Sequence, residues 1–167
     1  MKRFKKILVP VNFSDDSPNR LKYAASLAEE TQSELVVLHV IQKEKARSFS
    51  NCLALMEGWP MLNNHTAIPV DRLVHEKALD LYRFIERVIR NPGRLKIRRK
   101  VALGHEQEKI LRVAREEDID LVVLGFLNKS FFFNLMTRAK FLKTISRLSC
   151  PVLLRPALDN GSSSVRM

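Results

Sequence analysis

The residues best placed for chemistry lie at the ends of two short apolar runs. The first run begins at Lys6 and ends in a polar turn at Asn12, and the second begins at Asp120 and ends at Gly125. Continuous apolar runs of this kind predict strands that are buried on both faces of a parallel sheet. Ligands of such sheets bind beyond the carboxyl ends of the strands, where the strand order reverses. We therefore expect any ligand to bind near Asn12 and Gly125.

No catalytic or metal-ligating pattern accompanies these runs in the sequence. It contains no P-loop and no His–carboxylate–nucleophile set. His39 lies inside an apolar run and His105 at a predicted helix start, so packing or capping explains them better than ligation. Cys52 and Cys150 lack metal-ligand spacing, and we expect both to be reduced. The sequence thus predicts a protein that is not an enzyme and holds no metal, with weak nucleotide hydrolysis left open.

The paired acids Asp15 and Asp16 raise one alternative, a phosphoacceptor receiver domain. That class also needs an acid at the end of the third strand, where this chain has Ala102, Leu103 and Gly104. We therefore discard the receiver interpretation. The two acids are instead expected to favour the positive end of the first helix.

Hydrophobic periodicity predicts five strands that alternate with four helices. Ser17 is expected to cap the first helix with Pro18 at its first position, and Asp71 to cap the second. Right-handed crossovers place helices on both faces, so the fold class is α/β with a doubly wound parallel sheet. The strands are predicted at 5–11, 35–41, 95–102, 119–125 and 151–155, and the helices at 18–31, 71–91, 106–117 and 132–148.

Sequence length and composition indicate a single domain. The 167 residues divide into a domain at 1–156, with a long irregular insert at 42–71, and a small, polar tail at 157–167 that we expect to be disordered. The insert is apolar enough to pack over the crevice, at a subunit contact or as extra core. Apolar runs are too short for a membrane span or a signal peptide, so we expect no membrane association and a cytoplasmic address.

The chain is strongly basic, with a net charge of +11. Five of the seven residues at 94–100 are basic, which raises nucleic acid as a partner. Leu95 and Ile97 alternate with Lys96 and Arg98 there, a pattern typical of a sheet edge protected by charge. We favour edge protection, and we expect specific nucleic-acid binding to be absent.

Five segments in order resemble the universal stress protein family over residues 5–156. They are ILVPVNFSDDS, VLHVI at 37–41, the Gly104 turn, DLVVLG at 120–125 and CPVLLRP at 150–156. The resemblance implies a strand order of 3-2-1-4-5 in the adenine nucleotide alpha hydrolase-like fold, with strand 3 at an edge. It also implies a homodimer in which the last strands of two subunits pair, and Pro151 and Pro156 would confine that pairing to Val152, Leu153 and Leu154.

Family members that bind ATP carry a glycine-rich loop after strand 4, patterned Gly-two-Gly-nine-Gly-Ser/Thr, and an Asp at the end of strand 1. Gly125 keeps the first position, while Asn128, Arg138 and Ala139 replace the others and Asn12 replaces the acid. Glycines let backbone N–H groups approach phosphate without a Cβ in the way. These departures predict a stress-response module with weak or no ATP binding, acting through dimerisation and protein partners.

An alternative keeps ATP or AMP in the same crevice. Lys129 and Arg138 would then replace the missing backbone contacts with positive charge. The candidate nucleotide-binding residues are Pro10, Val11, Asn12, Val40, Gly125, Leu127, Asn128, Arg138 and Ala139.

Overall fold

The computed structural model describes residues 4–42, 70–126 and 135–156. These residues form a five-stranded parallel sheet of order 3-2-1-4-5, which confirms the predicted fold class and strand order. Most of the predicted insert and all of the predicted tail lie outside the described residues. The strands are β1 Lys6–Val11, β2 Glu34–Ile41, β3 Ile97–Leu103, β4 Leu121–Phe126 and β5 Val152–Pro156, and the helices are α1 Ser17–Thr31, α2 Val70–Val88, α3 Glu106–Glu116 and α4 Leu135–Ser146.

Two hydrophobic cores lie on opposite faces of this sheet. Alternate residues of β1, such as Ile7 and Val9, pack with α1 and α2, while Leu8 between them packs with α3 and α4. Successive side chains of a strand point to opposite faces, so a strand covered on both sides must be apolar throughout. This is why β1 and β2 appear in the sequence as continuous apolar runs.

Strand β3 forms one edge of the sheet, as its charge pattern predicts. Glu34, with a side chain only 7% exposed, pairs with Lys96 at 3.3 Å and with Arg98 at 2.9 Å. Glu117 pairs with Arg98 at 2.7 Å and also with Lys100. Three of the five basic residues at 94–100 are therefore partnered by carboxylates.

Neither predicted helix cap is found in the structure. Asp16 is the N-cap of α1, without a side-chain hydrogen bond to the helix, and Ser17 is already helical. The Ser17 hydroxyl is fully buried and donates to Asn12 Oδ1 at 2.8 Å, so it is used by the turn after β1 rather than by the helix end. Helix α2 begins at Val70, and Asp71 therefore lies in its first turn.

The buried faces of α2 and α4 also differ in part from the prediction. Helical spacing in the sequence predicts that Leu142 and Ala139 face the sheet, but Ala139 is exposed and Leu142 is 59% exposed. Leu142 lies about 160° around the helix from the buried Thr144, so it falls on the opposite side of α4 from the sheet. Helical spacing likewise predicts a buried Ala78 in α2, but Ala78 is exposed, while Leu73 before it and Leu81 after it are buried. Among the described residues, no helix is long and apolar enough to cross a membrane.

Candidate functional site

The candidate site lies at the carboxyl ends of β1 and β4, where the strand order reverses. The two strands pair at Ile7–Leu121 and Leu8–Val122, in their amino-terminal halves. The same register, extended, brings Val11 level with Gly125. The crevice that the sequence predicts between the ends of these strands is therefore where the fold places a ligand site.

Asn12 follows β1 and is held by a small polar turn. Its Oδ1 accepts hydrogen bonds from the Ser14 backbone N–H at 3.2 Å, the Ser14 hydroxyl at 2.7 Å and the Ser17 hydroxyl at 2.8 Å. A backbone N–H can only donate, so it fixes which end of the amide is the oxygen. The end left for a ligand is the NH₂ group, which donates, whereas an Asp would offer a second acceptor oxygen.

Phe13 is a member of this turn that the sequence analysis did not identify. Its φ is +59°, which is uncommon for a bulky residue. The Phe13 ring lies 4.3 Å from the His39 ring and 5.3 Å from the Phe84 ring, between ring centroids. His39 is buried and its Nδ1 lies 2.9 Å from the Val11 carbonyl oxygen, so its predicted role as a packed residue is confirmed. The aromatic contacts hold the turn in its left-handed conformation.

Gly125 is covered by a side chain of α1. A Cβ added at Gly125 would lie 2.1 Å from Arg20 Nη1 and 2.9 Å from Asp16 Oδ2. The Arg20 guanidinium therefore packs directly against the Gly125 backbone, at a distance that only glycine permits. The Arg20 side chain therefore occupies the space beside the Gly125 backbone that a phosphate would need.

The Arg20 side chain is hydrogen-bonded to the turn after β1, and its pKa is shifted by burial and by neighbouring charges. Its Nη2 donates to the Ser17 hydroxyl at 3.1 Å, and that hydroxyl in turn donates to Asn12. Burial lowers the pKa of the Arg20 guanidinium, Asp16 and Glu106 oppose this effect, and Arg155 adds to it. Arginine remains charged despite such shifts. The Arg20 Nε atom is buried and has no hydrogen-bond partner among the described residues.

Arg155 of β5 approaches the same place. It pairs with Gly125 in the β4–β5 register. Leu153, two residues earlier, packs in the core that includes α1, so Arg155 points to the α1 face as well. Its guanidinium carbon lies 5.8 Å from the centre of the Tyr23 ring, and its Nη1 atom is buried without a partner in the described part of the chain. The sequence analysis missed Arg155, because its place opposite Gly125 depends on the β4–β5 register.

The remaining predicted residues are only partly brought together. Pro10 and Val11 are buried in β1, and Val40 is half-buried and packs on the α3–α4 face. Leu127, Asn128 and Lys129 lie outside the described residues, as does the side chain of Arg138. Within the described ranges, no cluster of three or more His, Cys, Asp or Glu side chains could hold a metal ion.

Arg138 and Ala139 occupy helical positions rather than loop positions. Helix α4 begins at Leu135, so these residues are its fourth and fifth. Only the first four N–H groups of an α-helix lack a partner within the helix. The N–H of Ala139 is therefore used by the helix, and the residue offers neither a hydroxyl nor a free backbone donor to a phosphate.

Comparison with known proteins agrees with this architecture. A family model described as "Universal stress protein family" matches residues 3–156. The chain is 23% identical over 154 residues to universal stress protein MJ0577 of Methanocaldococcus jannaschii, covering 90% of this chain and 94% of the relative.

Solved structures give the same fold. The structure of MJ0577 superposes with a TM-score of 0.62 at 20% identity, covering 95% of this chain and 99% of that one. A universal stress protein in complex with cAMP gives a TM-score of 0.59 at 14% identity, covering 94% of this chain and all of that one. A universal stress protein from Archaeoglobus fulgidus in complex with dAMP gives a TM-score of 0.52 at 16% identity, covering 92% of this chain and 98% of that one.

Proposed function

Because the chain belongs to the universal stress protein family, we propose that it is a non-enzymatic stress-response module that binds ATP weakly or not at all. The observation that carries this proposal is the position of Arg20. Its guanidinium lies against Gly125, where an added Cβ would be 2.1 Å from Nη1. A triphosphate seated on this glycine must first displace the arginine.

The displacement has a cost that can be estimated. Moving Arg20 breaks its hydrogen bond to the Ser17 hydroxyl and separates the guanidinium from Asp16. Losing one hydrogen bond to a charged group costs about 1.5–3 kcal/mol, and every 1.4 kcal/mol is tenfold in affinity. The arginine alone therefore supports an ATP affinity lower by about one to two orders of magnitude.

Two further features support weak ATP binding. The free end of Asn12 is an amide NH₂ that donates, whereas an Asp at this position would offer a second acceptor oxygen to the adenine side of the crevice. Ala139 lies in the second turn of α4 and gives no hydroxyl to a phosphate. The Ala139 effect does not involve Arg20, whereas Asn12 is linked to Arg20 through the Ser17 hydroxyl, so those two effects are coupled.

A second candidate function is binding of an adenine nucleotide that carries one phosphate. Two neighbours of this fold were solved with cAMP and with dAMP, each a single-phosphate nucleotide. The two arginines at Gly125 supply positive charge for such a group in this chain. The first candidate concerns ATP, so the two are compatible.

We also propose that the module is a homodimer joined through β5. This strand lies at the edge of the sheet, and within the described residues its outer row of backbone groups has no strand beside it. Leu154 is 39% exposed and Leu142 of α4 is 59% exposed, while Val152 and Leu153 are half-buried. A partner strand around a two-fold axis would satisfy the edge symmetrically. A cytoplasmic address and protein partners remain part of this proposal.

Calorimetric titration with Mg-ATP tests the main proposal. The wild type should bind only at high micromolar concentration or above, and a variant with Asn128→Gly, Arg138→Gly and Ala139→Ser should bind more tightly. Gly93→Ala is a suitable control, because an added Cβ there meets nothing within 4 Å. Low-micromolar affinity of the wild type at one nucleotide per chain would refute the proposal.

A further inference from the structure

We propose that Arg20 and Arg155 together form an anion site that binds a compact oxyanion, either inorganic phosphate or the phosphate of a nucleoside monophosphate. The site lies at the carboxyl ends of β4 and β5, beside Gly125. This inference deepens the proposed function, since it assigns a ligand chemistry to the crevice in which ATP binds poorly. It differs from a glycine-rich phosphate loop because side chains of α1 and β5 supply the donors.

Three observations bring the two guanidinium groups to one place. Arg20 Nη1 lies 2.1 Å from where a Cβ of Gly125 would be, and Arg155 pairs with Gly125 in the strand register. Arg155 also lies over the ring of Tyr23, which is three residues after Arg20 and so on the same face of α1. Burial is the main cause of the lowered pKa of Arg20, and the charge of Arg155 adds a smaller effect in the same direction.

Each guanidinium keeps one buried donor without a partner. These donors are Arg20 Nε and Arg155 Nη1, and they are the buried side-chain nitrogens or oxygens of the described residues that lack a hydrogen bond. Buried polar groups are almost always paired, and an unpaired donor on a cation is costly to maintain. That both lie on neighbouring arginines indicates a missing acceptor shared by the two.

The nearby acids explain why the ligand should be compact. Asp16 and Glu106 attract Arg20 and offset part of its charge, yet neither accepts a hydrogen bond from the two unpaired donors. Phosphate oxygens fit guanidinium donors well and can accept from both arginines at once. A triphosphate would bring far more negative charge beside the Asp16 carboxylate, which lies close to the Gly125 backbone.

The test compares three probes by calorimetry: inorganic phosphate, AMP and adenosine. Arg155→Gln and Arg20→Gln should each weaken phosphate or AMP binding by about tenfold or more, as expected for a charge-assisted hydrogen bond. Arg90→Gln removes the same charge from an exposed position and should change affinity less than about twofold. Asp16→Asn should act in the opposite direction and tighten binding.

The probes separate the possible sources of the phosphate. Binding of inorganic phosphate without AMP indicates a free-anion site, and binding of AMP without inorganic phosphate indicates a nucleoside monophosphate; both support the proposal if the two arginines matter. Adenosine should bind equally to wild type and Arg155→Gln. No binding of phosphate or AMP at millimolar concentration, or equal losses in Arg155→Gln and Arg90→Gln, would overturn the anion site.

Two checks keep the result interpretable. Thermal unfolding shows whether a variant is folded, and Arg155→Lys replaces Arg155→Gln if the latter is not. The lysine keeps the charge but loses the planar fork, so an intermediate loss is expected, and an unchanged affinity would count against the proposal. Tight Mg-ATP binding by the wild type would refute the proposed function, whereas loss of phosphate or AMP binding in the two arginine variants would still support the anion site.

Discussion

Gly125→Ala is the substitution that most sharply tests the packing of Arg20. The new Cβ would lie 2.1 Å from Arg20 Nη1 and 2.9 Å from Asp16 Oδ2, so the guanidinium must move. It would then lose the 3.1 Å hydrogen bond to the Ser17 hydroxyl. The clashing atoms end flexible side chains and can move, so the expected fall in the free energy of unfolding is that of the lost hydrogen bond to a charged group, about 1–3 kcal/mol. Urea unfolding at fixed protein concentration measures it.

The destabilisation caused by Gly125→Ala should depend on Arg20, and a double-mutant cycle can test this dependence. In an Arg20→Ala background the two Arg20 atoms nearest the added Cβ are gone and Asp16 Oδ2 at 2.9 Å remains, at the end of a side chain that can move. Alanine is preferred to glycine within a strand by about 0.5–1 kcal/mol. Gly125→Ala should then be neutral or slightly stabilising. The coupling energy between the two sites should therefore be about 1–3 kcal/mol.

Gly93→Ala serves as the control, because an added Cβ there meets nothing within 4 Å. It should change stability by less than about 0.5 kcal/mol. Additivity of Gly125→Ala and Arg20→Ala within about 0.5 kcal/mol would refute the packing of the guanidinium on the strand.

Three further predictions concern other parts of the molecule. Val152→Pro removes a backbone donor from the edge strand and should convert dimers to monomers in sedimentation equilibrium; a wild-type monomer, or an unchanged dimer in the variant, would contradict the β5 interface. A hydrogen bond from Lys100 holds the pKa of Glu117 below its usual range. The unfolded chain therefore binds more protons than the folded one, and the stability that Glu117 contributes should be lost as pH falls below about 4.3. The difference in unfolding free energy between wild type and Glu117→Gln, measured by urea unfolding, should therefore narrow from pH 7 to pH 3. DNA and RNA should bind weakly, without sequence preference and with steep salt dependence, because the edge at 94–100 is largely ion-paired; a sequence-selective complex at physiological salt in an electrophoretic shift assay would disprove this.

The fold could be predicted because its signals are local and repeated. β1 and β2 are buried on both faces, so the run from Ile7 to Val11 has to be apolar without interruption. The charged residues of β3 likewise indicate an edge. Helix ends were less certain, because Ser17 satisfies the requirements of a cap in sequence while its hydroxyl is used by Asn12 in the structure.

The candidate site could be located but not fully described. Asn12 and Gly125 follow directly from the strand ends, since parallel strands open their crevice there. Arg20 could not be assigned, because nothing in the local sequence of α1 shows that its side chain reaches β4. Arg155 needed the β4–β5 register, which becomes known only when the strands are paired.

Native mass spectrometry of the rapidly purified protein tests the central claim most directly, since it reports both the subunit number and any nucleotide that is retained. We predict a dimer mass without ATP. The reason is that Arg20 already occupies the close approach to Gly125. A mass that corresponds to one ATP per chain would contradict the account.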